Sequence, residues 1–215
     1  IPIPVNPFTV QTTSNAADAR FRGFEVEQSL KIGRQILISG YIRYIDGKYT
    51  SYPNGPQFFP VGPNTPIPIP AGCAATVPTY PSAPSATTVA VQRFCDLAGN
   101  RTIRSPKFTF NLSFVYALPT AIGAFEFAGN WAHTSKYYFE ADNNPFLNQP
   151  STDIVNASLK WTDVAERYSV KLWTRNLTKQ KFISSLIQSG AYYNKFSAAP
   201  PRTYGVTVSV AFGDK

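Results

Sequence analysis

Residue types that carry catalysis are scarce in this chain. There is one histidine, His133. Any Ser-His-Asp triad would have to use that imidazole, and a histidine-rich metal centre is impossible. His133 follows Trp131 at the far end of an alternating stretch and has no partner nearby in sequence, so it reads as an exposed or lumenal side chain. Segment 140–145, EADNNP, offers oxygen ligands for calcium, but not at the spacing of a calcium loop, and it reads as a polar loop. Four Asn-Xaa-Ser/Thr triplets begin at Asn100, Asn111, Asn156 and Asn176. The last three fall inside predicted strands, where a glycan does not fit. Neither an enzymatic reaction nor a bound cofactor is expected.

The two cysteines say more. Cys73 and Cys95 share one proline-rich connection in a chain otherwise free of cysteine. That suggests a disulfide formed in an oxidising compartment, the other readings being two free thiols or a metal pair. Closing a loop of this length is worth about 3 kcal/mol in the chain-entropy model. The same connection carries YTSYPNGPQFFPVGPNTPIPIP, whose prolines resist pairing as a sheet edge. Tyr49, Tyr52, Phe58 and Phe59 there, and Tyr192 and Tyr193 near the C-terminus, supply apolar and stacking area for a ligand, or pack the loops on one another.

These residues are positioned by strands. RTYGVTVSVAF places Tyr204, Val206, Val208, Val210 and Phe212 on one side and small or weakly polar residues on the other, the period-two pattern of a strand with one apolar face. The pattern recurs in KFTFNLSFVYAL, RYSVKLWTRNL, VNASLKWT, GFEVEQSLKI, QILISGYIRY and AFEFAGNW. It predicts seven strands, over roughly 18–32, 34–50, 103–118, 123–141, 152–163, 166–178 and 201–212. No convincing helix is expected; KFISSLIQSGAYY is helix-like but is interrupted by Gly190. The connections alternate in length. Short turns share one end of such a meander; the long connections 50–102, 142–151 and 179–201 share the other. Bacterial outer-membrane barrels have this asymmetry.

Composition allows that reading. Aromatics make up 14% of the 215 residues and charged residues only 15%, against about 25% charged in an ordinary soluble domain. No apolar run reaches the roughly 18 residues of a membrane helix, but a barrel strand needs only about ten alternating ones. The polar faces carry Ser, Thr, Asn and Gly with interspersed charges, which suits a wet lumen. Tyr116, Trp161, Tyr168 and Phe212 lie near the short-turn end, where aromatics meet lipid headgroups. The net charge of +8 comes from basic residues scattered singly, with no patch of interleaved aromatics, so nucleic acid is not an expected partner. The opening IPIPVNPF is neither a signal sequence nor a natural start, which suggests a mature or truncated chain.

Three stretches resemble a known family. PPRTYGVTVSVAF, with Arg202, Tyr204, Gly205 and Phe212, resembles the closing strand of TonB-dependent outer-membrane receptors. NASLKWTDVAERYSVKLWTRNLTKQKF resembles their penultimate hairpin through Trp173, Asn176, Leu177 and Thr178. NAADARFRGFEVE, with Asn15, Ala16, Gly23, Glu25 and Glu27, resembles an earlier strand of the same barrel. The three occur in the expected order between residues 15 and 212.

The resemblance implies an all-β, antiparallel, up-and-down transmembrane barrel segment, with residues 1–215 forming about seven C-terminal strands of a barrel of roughly 22. It implies a separate plug domain absent from this chain, and placement in the outer membrane of a Gram-negative bacterium. The implied function is energy-coupled uptake of a bulky, scarce nutrient, a ferric siderophore first among them. The implied partners are the lipid bilayer, the rest of the receptor, TonB acting through the missing plug, and the barrel-assembly machinery, for which Tyr204 and Phe212 would mark the terminal strand. Gly213, Asp214 and Lys215 follow Phe212, whereas the family closes on the aromatic itself. A passive porin-like channel and a soluble glycan-binding β-module are the rival readings.

Overall fold

A computed structural model of the chain describes residues 17–61, 72–74, 89–189 and 193–212. In chain order the strands are β1 (Asp18–Ile32), β2 (Ile36–Ser51), β3 (Gly55–Val61), β4 (Val89–Cys95), β5 (Phe108–Thr120), β6 (Gly123–Thr134) and β7 (Tyr137–Tyr138). They continue as β8 (Asn148–Gln149), β9 (Thr152–Thr162), β10 (Tyr168–Arg175), β11 (Ile183–Ser189), β12 (Tyr193–Ala198) and β13 (Thr203–Val210). Seven of them make one antiparallel sheet in the order β1-β2-β5-β6-β9-β10-β13. The other six pair off as β3-β4, β7-β8 and β11-β12 inside the three long connections. The main sheet is therefore an up-and-down meander with all its tight turns at one end.

Register shows why these sequences make this sheet. Ile32, Ile36, Tyr116, Phe127, Leu159, Leu172 and Val206 stand opposite one another in succession, an apolar row crossing all seven strands on one face. On the other face Ser29, Ser39, Ser113, Asn130 and Asn156 form a polar row in the same way. A one-residue slip at any pairing would exchange the two faces, so the alternation itself fixes the register. The apolar stretches from Phe24 to Ile32 and from Ile36 to Tyr44 each have the roughly 9–11 residues that carry a tilted strand across hydrocarbon.

Among the described residues, no second layer covers either face. Val206 and Val208 are 63% and 67% exposed, and Phe24, Leu30 and Leu172 are half exposed or more. A soluble sandwich would instead bury such a face against a second sheet. Among the described residues, the buried apolar cluster lies outside the main sheet: Phe139, Leu147 and Leu186, with Tyr137 and Ile183 against it, all in the long connections.

The tight turns are held by side chains. Asp163 accepts from the amides of Tyr168 (2.7 Å) and Ala165 (3.3 Å), closing the β9–β10 turn, and Thr120 Oγ1 donates to the Gly123 carbonyl across the β5–β6 turn. Strand ends depart from the sequence expectation where backbone geometry intervenes. β5 starts at Phe108 rather than 103, because Arg104 has a positive φ and the segment before it runs beside β2 as a loop. β6 stops at Thr134 rather than 141, where the Ser135 hydroxyl accepts from the Phe108 amide and the chain turns outward. β10 stops at Arg175 rather than 178, because Asn176 adopts a φ of 52°. Within the helix-like stretch, Ile183–Ser189 is instead the strand β11, paired with β12.

Candidate functional site

The long connections form a joined structure at one end of the sheet. Tyr49 and Tyr52 pack edge-to-face at 5.1 Å, and burial pushes the Tyr49 phenol above its ordinary pKa. Cys73 and Cys95 form a disulfide. Residues 72–74 lie beside β4 there, with the Ala74 amide donating to the Phe94 carbonyl and the Asp96 amide to that of Gly72. Phe58 and Phe59 lie on β3 opposite Gln92 and Val91. Tyr193 opens β12 opposite Ser189, and Tyr192 falls outside the described residues. The structure therefore joins Tyr49 to Tyr52 and Cys73 to Cys95, and places Phe58 and Phe59 on β3 and Tyr193 on β12.

Contacts between the connections were not legible in the sequence. Arg101 and Asn143 clasp each other: the Arg101 amide donates to Asn143 Oδ1 (2.8 Å), and Asn143 Nδ2 donates to the Arg101 carbonyl (2.9 Å). Asn100 Nδ2 donates to the Ala141 carbonyl, and the Arg104 guanidinium lies 5.9 Å from the Phe139 ring centre. The second and third connections meet where the Ile183 amide donates to Gln149 Oε1 at 2.7 Å, in the same region as the buried cluster. Segment 140–145 serves this joint. Asp142 is largely buried, which raises its pKa, and Asn143 takes a positive φ to hold Arg101. The described residues contain no group of three metal-ligating His, Cys, Asp or Glu side chains. Phe146, 88% exposed, and Phe196, 66% exposed, add apolar contact area that the sequence reading passed over. The Asn-Pro-Phe sequence at the loop tip was the available signal.

The polar face carries an amide ladder. Asn130 Nδ2 donates to Asn111 Oδ1 (2.7 Å) and Ser113 Oγ (3.0 Å). Asn156 Nδ2 donates to Asn130 Oδ1, and Asn156 Oδ1 accepts from the Asn176 amide. Three of the apparent glycosylation asparagines are thus members of one network. Asn176 also spans its own turn, accepting from the Gln180 amide and donating to the Gln180 carbonyl. Two residues of the terminal motifs meet here. The Trp173 indole lies over Gly205, where any Cβ would collide with the ring, and its Nε1 donates to Thr207 Oγ1.

His133 is corrected by the structure. It lies on the apolar face at the long-connection end, stacked on Phe110 with ring centres 5.3 Å apart, and it does have a partner: Nδ1 is 2.9 Å from Asp153 Oδ1. The same oxygen accepts from Trp131 Nε1, so Asp153 holds two aromatic rings at the rim of the apolar band. Tyr204 is exposed on that face, and Phe212, just beyond β13, is 92% exposed.

Comparison with known proteins gives this geometry a context. No curated sequence resembles the chain closely enough to count as a match. Two solved structures share the fold: the siderophore receptor PiuA from Acinetobacter baumannii (TM-score 0.60, 18% identity) and the ferric yersiniabactin uptake receptor FyuA from Yersinia pestis (TM-score 0.53, 15% identity). The matches cover 90% and 91% of this chain but only 22% and 30% of those receptors. The family model for the TonB dependent receptor-like β-barrel matches residues 2–177. The chain belongs to the TonB-dependent receptor β-barrel family.

Proposed function

We propose that this chain forms the C-terminal part of an outer-membrane receptor that takes up a ferric siderophore, or a chelate of similar size, with energy delivered through TonB. The two-faced meander supports this reading: its apolar face stands uncovered while its long connections interlock at one end. The apolar face meets lipid, the polar face lines the lumen and the plug, and the interlocked connections stand outside the cell to receive the chelate. PiuA and FyuA, named as a siderophore receptor and a ferric yersiniabactin uptake receptor, share the fold. The chain transports rather than catalyses. Its two outer strands are β1 and β13, and open edges in hydrocarbon would leave backbone groups unsatisfied at several kcal/mol each, so transport needs the remaining strands.

The test uses the full-length parent protein in an iron-limited Gram-negative host. Deleting it should abolish uptake of one radiolabelled ferric siderophore from a panel, and uptake should also stop when the proton-motive force is collapsed. Uptake that survives collapse of that force would indicate a passive channel. Uptake of every panel member undiminished in the deletion strain would overturn the proposed role.

A further inference from the structure

Of the three long connections, the second, between β6 and β9, cannot hold its own shape. Its regular structure is the pairing of β7 with β8, two residues each. Even a longer two-stranded hairpin is marginal in water unless it packs on something. Yet Phe139, Leu147 and Gln149 in this connection are only 3%, 4% and 3% exposed. Their order is supplied from both sides.

From the first connection, between β2 and β5, the Arg104 amide donates to the Tyr138 carbonyl at 2.8 Å, and the Arg104 guanidinium lies over the Phe139 ring. Asn143 exchanges two hydrogen bonds with the Arg101 backbone. Arg104 has a φ of 49°, a conformation that a non-glycine residue keeps only where its surroundings fix it. From the third connection, between β10 and β13, Leu186 completes the buried cluster with Phe139 and Leu147, and the Ile183 amide donates to Gln149 Oε1. The β11–β12 pair is itself a separate two-stranded sheet and needs that contact as much. The outer two connections are also tied to the barrel. The Thr102 amide donates to the Gly47 carbonyl of β2, and the Leu177 amide to the Val155 carbonyl of β9. The second connection is therefore ordered by two anchored neighbours, and Phe139 meets the first and belongs to the cluster that the third completes.

We propose that the second connection relays order between the first and the third, so that fixing either one fixes the other. The two joints then open together, with one free energy rather than two. A ligand that orders one connection lowers the entropic cost of its contact with the next. This consequence for chelate capture rests on the uptake reading above.

Hydrogen exchange on the full-length receptor in detergent, resolved to single amides, follows each joint separately. The Arg104 and Arg101 amides, bonded to Tyr138 and Asn143, report the first joint, and the Ile183 amide reports the second. Thr102 and Leu177, whose acceptors lie on β2 and β9, report the barrel rim. Asn143→Gly removes the clasp and leaves the left-handed backbone accessible. The hydrogen bonds of Asn143 run to Arg101, Glu140 and Ala141, yet its loss should speed exchange at Ile183 about tenfold. Leu186→Ala, in the third connection, should speed exchange at Arg101 and Arg104 by a similar factor. Thr102 and Leu177 should be unchanged in both variants, which shows that the barrel remains folded. Effects confined to the joint nearest each substitution would overturn the proposal. In the wild type, the ferric siderophore that the deletion strain fails to import should slow exchange at both joints, and in the Asn143→Gly variant at one alone. Slowing at a single joint of the wild type would refute the relay. If no siderophore of the panel binds, the uptake reading falls, and the two substitutions still decide the relay.

Discussion

At the scale of single residues, the two faces of β13 make opposite demands on their side chains. Val208 stands opposite Val170 on the apolar face and is 67% exposed. Thr207 points the other way and accepts a hydrogen bond from Trp173. In the full-length receptor refolded into bilayers, Val208→Arg should cost roughly 2–4 kcal/mol, the penalty of a cation at the midplane of a lipid-facing wall. Thr207→Arg should cost about 1 kcal/mol, the worth of the lost hydrogen bond, because its new charge enters a wet lumen. Equilibrium unfolding in urea measures both, and equal effects would reverse the facing assignment. This difference was legible in the sequence because alternation is how a strand separates two media. The environment of His133 was not. Its partner Asp153 is adjacent only through the β6–β9 register, and no local pattern announces which strand will lie beside which.

At the scale of elements, the seven long strands were readable and the six short ones were not. β3, β4, β7, β8, β11 and β12 lie in the connections, away from the two-medium boundary, so their side chains need not alternate. Their stability comes from what they touch. The hairpin of β3 and β4 is extended by residues 72–74, which the Cys73–Cys95 disulfide fastens to β4. Non-reducing mass spectrometry of envelope protein should show the two cysteine peptides linked. Replacing both by serine should destabilise this connection by about 3 kcal/mol. The loss should appear as faster proteolysis of the connection while the barrel's own unfolding is unchanged, since the two are separate cooperative units. Free, alkylatable thiols in native protein would refute the linkage. The sequence indicated the pair through isolation of two cysteines in one loop. It did not indicate that residues 72–74 run beside β4, because apart from the disulfide that placement rests on backbone hydrogen bonds and on the Arg93 guanidinium, which donates to the Ala74 carbonyl.

At the scale of the whole molecule, the order β1-β2-β5-β6-β9-β10-β13 puts every long connection at one end. Phe146 in the second connection is 88% exposed, and Val164 in the β9–β10 turn is 73% exposed. Single cysteines at these positions, in the full-length receptor with Cys73 and Cys95 replaced, should behave differently in intact cells. The one at 146 should react with a membrane-impermeant maleimide, and the one at 164 should react only after the outer membrane is opened. The reverse pattern would invert the topology. This orientation depends on long-range pairing, and so does the placing of the basic residues. The basic residues looked dispersed because Arg20 and Lys48 become neighbours only when the strands that carry them close against each other.

The joint between the second and third connections bears on how such a receptor can change over time. Gln149 is buried and holds Ile183, while Phe139, Leu147 and Leu186 share one small interior. Substitutions in one connection therefore meet partners contributed by the other. In the orientation proposed above, phages and antibodies that press on an exposed tip such as Phe146 can select new residues there freely, because its side chain is 88% exposed. The inner parts of the two connections must instead be inherited together. A recombination crossover falling between residues 150 and 182 would part Gln149 from Ile183, and one falling between 104 and 139 would part Arg101 from Asn143, so the connections travel intact only when a transfer spans both joints.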